Sequence, residues 1–124
     1  MDGIKIGRIG RKVEKALGED MGKDIFLYVS NKRLDAWARS RGDSYLRDLE
    51  EVSKIVSSPD YVRYSYQDDK EELSFVREYI KDGIFRKCLA SFVHSARWEI
   101  SSFKVLKDEE ARKMAINAPF IKVD

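Results

Sequence analysis

The stretch that decides the fold is residues 26–66, FLYVSNKRLDAWARSRGDSYLRDLEEVSKIVSSPDYVRYSY. Its apolar beginning, over residues 25–30, predicts a strand. Two helical segments follow: a basic one over about 32–41, and an amphipathic one over about 44–57 with an apolar stripe at helical spacing. A proline and an alternating run over 62–66 then change the period from 3.6 to 2, which is typical of a strand. The stretch therefore predicts two helices between two strands.

Further strands are predicted after this stretch. A strand is predicted over 73–80, where one face would carry Leu73, Phe75, Arg77 and Tyr79 and the other Ser74, Val76, Glu78 and Ile80. Glu, Lys and Leu make a helix over 70–81 the competing prediction. The dipeptide Asp82-Gly83 is a strong hairpin signal. Residues 84–94 are apolar on both faces, which favours a central strand. A last strand is predicted over 97–106.

This last strand changes its apolar face. Trp98 and Ile100 fall on one face of a regular strand, whereas Phe103 and Val105 fall on the other, after a pair of serines. Such a change indicates a β-bulge or an open cleft.

The predicted order of elements is typical of an α+β fold, in which N-terminal helices pack on a four- to five-stranded antiparallel β-sheet. Residues 1–24 are interpreted as a basic arm or short helix, and 25–117 as the main domain. That domain would end in a short helix over 108–116. Residues 118–124 are interpreted as a C-terminal tail.

Composition narrows the possible functions. The 124 residues suit one domain, 43% are hydrophobic and 37% charged, and the net charge is only +2. A protein that coats duplex nucleic acid would normally be more basic, although a local patch can still bind phosphate. One cysteine and one histidine exclude an intrachain disulfide and argue against a metal cluster, so no metal or other cofactor is expected. The chain has no secretory pattern and no apolar run of about 20 residues, so no membrane contact is expected and a cytoplasmic location is favoured.

The order of elements, with the pieces IVSSPDYV (55–62) and WEISSFKVL (98–106), resembles the phage-associated barnase/EndoU/colicin/RelE-like nuclease superfamily, the BECR fold. The resemblance covers about residues 25–112. It implies a small metal-independent ribonuclease, a toxin or phage effector, in which the ribose 2′-OH attacks the adjacent phosphate. It also implies RNA and a cognate inhibitor or immunity protein as partners. The setting would be bacterial or phage-encoded, with action in the cytoplasm or after delivery into a target cell.

The chain departs from this resemblance in its basic helix. Relatives often carry histidines there, whereas LDAWARSRG (34–42) has Ala36 and Arg41 near those places. Arginine stays protonated and cannot act as a base, although it can bind phosphate. An inactive relative that binds RNA or protein, or a structural module of a phage, therefore stays open as an alternative.

The candidate catalytic residues lie on the predicted strands. His94 is the only imidazole, and imidazoles exchange protons near neutral pH, but a lone histidine at a strand end is also an ordinary exposed residue. Nearby cations could converge on a phosphate with a serine hydroxyl assisting, or could simply form cross-strand pairs. Glu78 and Glu99 are the alternative bases. The predicted catalytic set is His94, Arg97, Lys87, Ser102 and Lys104.

The candidate RNA-binding residues combine cations with groups that can stack on bases or bond phosphate. A charged helix face is more often only solvated, and Tyr64 and Tyr66 alternate with Val62 as core residues would. Trp37, Trp98 and Cys88 are interpreted as core. The predicted binding set is Arg39, Arg41, Arg77, Tyr66 and Ser101.

Overall fold

A four-stranded antiparallel meander forms the centre of the sheet. The computed structural model describes residues 3–18, 25–81, 83–106 and 120–123. The meander consists of β3 (Tyr61–Gln67), β4 (Lys70–Lys81), β5 (Ile84–His94) and β6 (Trp98–Leu106). The competing helix over 70–81 is wrong, because these residues pair in register on both sides. The prediction that 84–94 is central is confirmed, since β5 is the middle strand of the sheet.

Three shorter strands extend this meander at both edges. They are β1 (Ile4–Arg8), β2 (Phe26–Val29) and β7 (Ile121–Lys122). The strand order is β1-β2-β6-β5-β4-β3-β7, and β2 runs parallel to β6. The α+β class is confirmed, but the predicted four to five antiparallel strands are corrected to a mixed sheet of seven strands within the described residues. Short end strands carry little periodicity, and local sequence does not encode which distant strand a segment pairs with.

The predicted helices are confirmed to within a residue or so at each end. The structure has α1 (Arg11–Leu17), α2 (Asn31–Arg41) and α3 (Tyr45–Ser57), with a 3₁₀ turn between α2 and α3. Ser30 caps α2, because its Oγ accepts a hydrogen bond from the Arg33 N–H at 3.2 Å. The helix predicted over 108–116 lies outside the described residues. None of the described helices is long and apolar enough to cross a bilayer.

The helices cover one face of the sheet, here called the inner face. Val52, Ile55 and Val56 of α3 are buried there in one core with side chains of β4 and β5, among them the fully buried Phe75 and Phe92. The opposite face, here called the outer face, carries a second, smaller apolar cluster. Its buried members are Val76, Leu89 and Leu106, with Tyr61 and Phe120 packed against them.

The N-terminal segment belongs to the same sheet and core. Ile9 and Val13 are buried in the main cluster, and β1 pairs with β2. A Cβ on Gly7 would lie 2.8 Å from Cγ2 of Val56, so the close packing of β1 on α3 requires glycine at this position.

A β-bulge interrupts the pairing of β5 with β6. Ser91 faces Ser102 while Phe92 faces Ile100, so Ser101 is the extra residue. The predicted bulge is confirmed, but the predicted change of face is wrong. Phe103 lies opposite Ala90 in the main core, because the extra residue resets the alternation of side chains.

Candidate active site

One end of the sheet brings a carboxylate and an imidazole together. Glu71 on β4 and His94 on β5 are direct cross-strand partners, which places their Cβ atoms about 5 Å apart. The ring of His94 also lies against Trp98, with 5.0 Å between the ring centroids and 32° between their planes. Trp98 is buried whereas His94 is exposed, so the indole supports one side of an imidazole that solvent can reach.

The turn between β5 and β6 adds a cation to this end of the sheet. The N–H of Ser95 donates to the carbonyl of Arg97 at 3.1 Å, which closes the turn. Arg97 Nε donates to Glu99 Oε1 at 3.1 Å, and the guanidinium carbon lies 4.4 Å from the centre of the Tyr28 ring. Only 15% of the Arg97 side chain is exposed. The guanidinium is therefore held in place by a carboxylate and an aromatic ring.

These groups line one pocket of about 410 Å³ that opens to solvent. Its polar lining is Glu71, His94 and Arg97, and its aromatic and apolar lining is Ile25, Phe26, Tyr28 and Trp98. A carboxylate can accept a proton, an imidazole can accept or donate one, and a guanidinium can stabilise negative charge on phosphate. The pocket thus combines proton-transfer groups, a cation and flat apolar surfaces.

The predicted catalytic set is divided between two places. Arg97 and His94 share the pocket, but Lys87, Ser102 and Lys104 do not. Lys104 and Ser102 project from the outer face, opposite Leu89 and Ser91, whereas His94 belongs to the inner-face register. Lys87 forms an ion pair with Glu78 at 3.4 Å, and His94 lies seven residues further along the extended strand, roughly 23 Å away.

The predicted RNA-binding set is dispersed as well. Arg41 is held within the fold by contacts to Asp48 and to the backbone of Phe103. Arg39 is exposed on α2, and its Nε donates to the carbonyl of Asp35 at 3.3 Å. Ser101 lies at the bulge, where its Oγ donates to the carbonyl of Ser91 at 3.1 Å.

The other two predicted binding residues lie at different ends of the sheet. The Tyr66 hydroxyl bonds Asp69 Oδ1 at 3.2 Å, and Tyr66 is 59% exposed although it shares a face with the core residue Val62. Arg77 lies on β4 opposite Cys88, far from the pocket.

The carboxylate of the pocket is one that sequence reasoning missed. Glu78 and Glu99 were the expected alternative bases, but Glu78 pairs with Lys87 and Glu99 orients Arg97. Glu71 was overlooked because the predicted strand began only at residue 73. The signal was present in the two-residue hairpin at Asp82-Gly83. A two-residue turn makes Lys81 and Ile84 the first cross-strand pair. Counting ten residues back and ten forward from this pair places Glu71 opposite His94.

A second chemically distinct pair lies at the opposite end of the inner face. Cys88 is fully buried, as the sequence predicts, and its Sγ lies 3.2 Å from the Tyr79 hydroxyl. Burial raises the pKa of the Tyr79 phenol, and the hydrogen bond with Cys88 adds to this shift. Burial also raises the pKa of the Cys88 thiol, against the lowering effect of the bond with Tyr79. Both groups are therefore neutral at physiological pH, and the thiol is a poor nucleophile.

In comparisons with known proteins, the chain matches no protein-family model, no curated protein and no solved structure. The function is therefore argued from the geometry of the pocket.

Proposed function

We propose that this chain is a small metal-independent endoribonuclease of the barnase/EndoU/colicin/RelE-like kind. The observation that carries the proposal is the direct pairing of Glu71 with His94 in a pocket that Arg97 also lines. Acid–base cleavage of RNA needs two proton-transfer groups and a cation at the phosphate. Of the predicted catalytic residues, the proposal keeps His94 and Arg97 and adds Glu71.

The proposed reaction proceeds by attack of the ribose 2′-OH on the adjacent phosphate. The Glu71 carboxylate accepts the 2′-OH proton while the 2′ oxygen forms a bond to phosphorus. The bond from phosphorus to the 5′ oxygen of the next nucleotide breaks, and protonated His94 donates a proton to that oxygen. The products are a 2′,3′-cyclic phosphate end and a 5′-OH end. Arg97 stabilises the charge that builds on the non-bridging oxygens.

The fixed position of Arg97 supports its role in this reaction. The hydrogen bond from Arg97 Nε to Glu99 fixes one side of the guanidinium group. Tyr28 supports the guanidinium plane from one side, so little side-chain entropy remains to be lost when a phosphate binds. A preorganised donor of this kind stabilises a transition state without further rearrangement.

The aromatic lining of the pocket supports single-stranded RNA as the substrate. Phe26 and Tyr28 contribute half-buried rings to the lining, and stacking on aromatic rings is a general means of binding unpaired bases. Lys5 and Arg97 each contact one of these rings, and Trp98 is buried against His94. On this proposal the partners are RNA and, for a toxin, a cognate inhibitor or immunity protein. The source would be a bacterium or a phage, with action in the cytoplasm or after delivery into a target cell.

A second candidate function is RNA or protein binding without cleavage. It is favoured by α2, where Ala36 and Arg41 stand near the places at which the relatives suggested by the resemblance carry histidines. The contacts of Arg41 with Asp48 and Phe103 make it part of the fold rather than a replacement for those groups. The nuclease is preferred because the pocket supplies its own carboxylate and imidazole.

The test is RNA cleavage in EDTA, followed by analysis of the fragment ends. Wild-type protein should release fragments with 2′,3′-cyclic phosphate ends. Glu71→Gln and His94→Ala should each lower the rate by roughly 100-fold or more, since each removes a proton-transfer group. Glu50→Gln removes the same charge from an exposed position on α3 and should cleave like the wild type.

Binding is measured separately with an oligonucleotide of the same sequence in which the ribose 2′-OH groups are replaced by hydrogen. The inactive variants should still bind it, because the acid and base act only on the reacting groups. Equal cleavage by wild type and both variants would contradict the assigned acid and base. Binding without any cleavage by the wild type would establish the second function instead.

A further inference from the structure

Two arginines are neighbours on the inner face at the end of the sheet opposite the pocket. Arg77 on β4 lies opposite Cys88, and Arg86 on β5 lies opposite Tyr79. The two arginines are therefore diagonal neighbours, with backbones about 7–8 Å apart, within reach of long side chains. Both are half-buried.

Neither guanidinium has a protein partner among the described residues. No ion pair or hydrogen bond joins Arg77 or Arg86 to another side chain there, and the Nε of Arg86 is buried without an acceptor. Arg63 also has a buried Nε without an acceptor, but its guanidinium reaches Glu72 at 3.5 Å and lies 4.7 Å from the Phe120 ring. A buried donor without a partner is costly, so the arrangement at Arg86 needs an explanation.

The surrounding groups leave this place positively charged. Both guanidinium groups oppose the rise that burial causes in the pKa of the Cys88 thiol, so both charges lie near this side chain. Glu51 of α3 is an acidic group that acts on both Cys88 and Tyr79, and no ion pair joins it to either arginine among the described residues. Tyr79 and Cys88 themselves are neutral. Among the described residues that act on Cys88, two positive charges therefore stand against one negative charge.

We propose that Arg77 and Arg86 form a binding site for a phosphate group. Guanidinium groups bind phosphate through pairs of parallel N–H···O bonds, and two of them suit a tetrahedral anion with up to two charges. The site is distinct from the pocket, because Arg86 and His94 are eight positions apart on one strand, roughly 26 Å. The proposal does not depend on the proposed ribonuclease activity.

The test follows the Nε–Hε resonances of the ¹⁵N-labelled full chain while inorganic phosphate is added at constant ionic strength. The wild type should show saturable shifts at Arg77 and Arg86. Arg77→Gln should weaken phosphate binding roughly tenfold, the effect of losing one charge-assisted hydrogen bond. Arg47→Gln removes the same charge from an exposed position on α3 and should leave the affinity unchanged.

Arg86→Lys provides a second variant if Arg77→Gln does not fold, because it keeps the charge but removes the planar fork and should also weaken binding. Shifts that never saturate, or an equal response of wild type and Arg77→Gln, would overturn the proposal. Competition then distinguishes two sources of phosphate. Displacement by single-stranded DNA without terminal phosphates identifies a nucleic-acid backbone, whereas displacement only by a nucleoside monophosphate identifies a small phosphorylated ligand. Neither competitor can be cleaved by 2′-OH attack. A negative result for phosphate binding at the two arginines is therefore independent of whether the proposed ribonuclease activity exists.

Discussion

At the scale of single residues, the Tyr79–Cys88 pair couples stability to pH. Both groups lie at the inner face and share a hydrogen bond of 3.2 Å between the Tyr79 hydroxyl and the Cys88 Sγ. Burial raises the pKa of each group. In the unfolded chain the thiol and phenol titrate near their ordinary values of 9.0 and 10.0. The unfolded state therefore loses these protons first as the pH rises, and deprotonation favours unfolding.

We expect the free energy of unfolding to fall above about pH 9, with each group contributing up to about 1.4 kcal/mol per pH unit. The contribution is fully present below the unfolded pKa and is lost as the pH rises towards the folded value. Urea titrations between neutral and alkaline pH measure the slope. Cys88→Ala should make it less steep. Val52→Ala truncates another fully buried side chain, and it should lower the stability but keep the wild-type slope. Equal slopes for wild type and Cys88→Ala would contradict this coupling.

The pocket shows what single-residue reasoning can and cannot predict. His94 and Arg97 were predicted because an imidazole and a guanidinium are rare or strongly interacting groups wherever they occur. Glu71 was missed because one glutamate among many is chemically ordinary until its cross-strand partner is known. The contribution of Tyr28 depends on the pairing of β2 with β6, which joins segments far apart in the chain.

At the scale of elements, Arg41 joins the end of α2 to α3 and to the open edge of β6. Its Nη1 donates to Asp48 Oδ2 at 2.8 Å and its Nη2 to the carbonyl of Phe103 at 3.3 Å. The guanidinium carbon also lies 4.8 Å from the Trp37 ring centre. Among the described residues, β2 pairs with β6 at Trp98 and Glu99, and the contact from Arg41 satisfies the carbonyl of Phe103 beyond that pairing.

Arg41→Ala should therefore lower the free energy of unfolding by about 1–3 kcal/mol, because it removes two charge-assisted hydrogen bonds and a ring contact. Arg39→Ala, two residues earlier on an exposed position of α2, should change stability by less than about 0.5 kcal/mol. Denaturant titration of both variants tests the difference. A similar cost for the two would mean that Arg41 does not join these elements.

The bulge in β6 gives a second prediction at this scale. Deleting one serine of the Ser101-Ser102 pair removes the extra residue but leaves Ile100 and Phe103 on the inner face. The shortened chain should fold, with a loss of about 1–2 kcal/mol for the missing side-chain hydrogen bond. Deleting Ser91 from the facing strand should prevent folding, because it moves the fully buried Phe92 to the outer face. Circular dichroism and thermal unfolding distinguish the two deletions.

At the scale of the whole molecule, the sheet combines local and distant pairings. The hairpins from β3 to β6 join neighbours in sequence, whereas Leu27 of β2 pairs with Trp98 of β6 across most of the chain. Turn chemistry and period-2 patterns made the meander predictable. The parallel pairing was not predictable, because nothing in the local pattern of residues 25–30 identifies its partner.

The contrast between local hairpin pairings and the distant pairing of β2 with β6 predicts the order of folding. Closing a long loop costs more entropy than closing a hairpin, so the meander should form before β2 docks. Leu27→Ala and Leu73→Ala each truncate a fully buried leucine and should cost about 2–5 kcal/mol. The first should mainly speed unfolding, and the second should mainly slow folding. Stopped-flow kinetics measure both rates, and a higher φ-value at Leu27 than at Leu73 would contradict the order.

The late pairing of β2 with β6 also matters during synthesis on the ribosome. Tyr28 emerges early and Arg97 much later, yet the pocket needs both of them on paired strands. A nascent chain can thus carry β3, β4 and β5 of the meander and still have no cleft for a nucleotide. On the proposed function, the translating ribosome meets no cleaving site until β6 has emerged and β2 has joined it. The topology of the sheet then protects the RNA of the cell that makes the protein while each molecule is being completed.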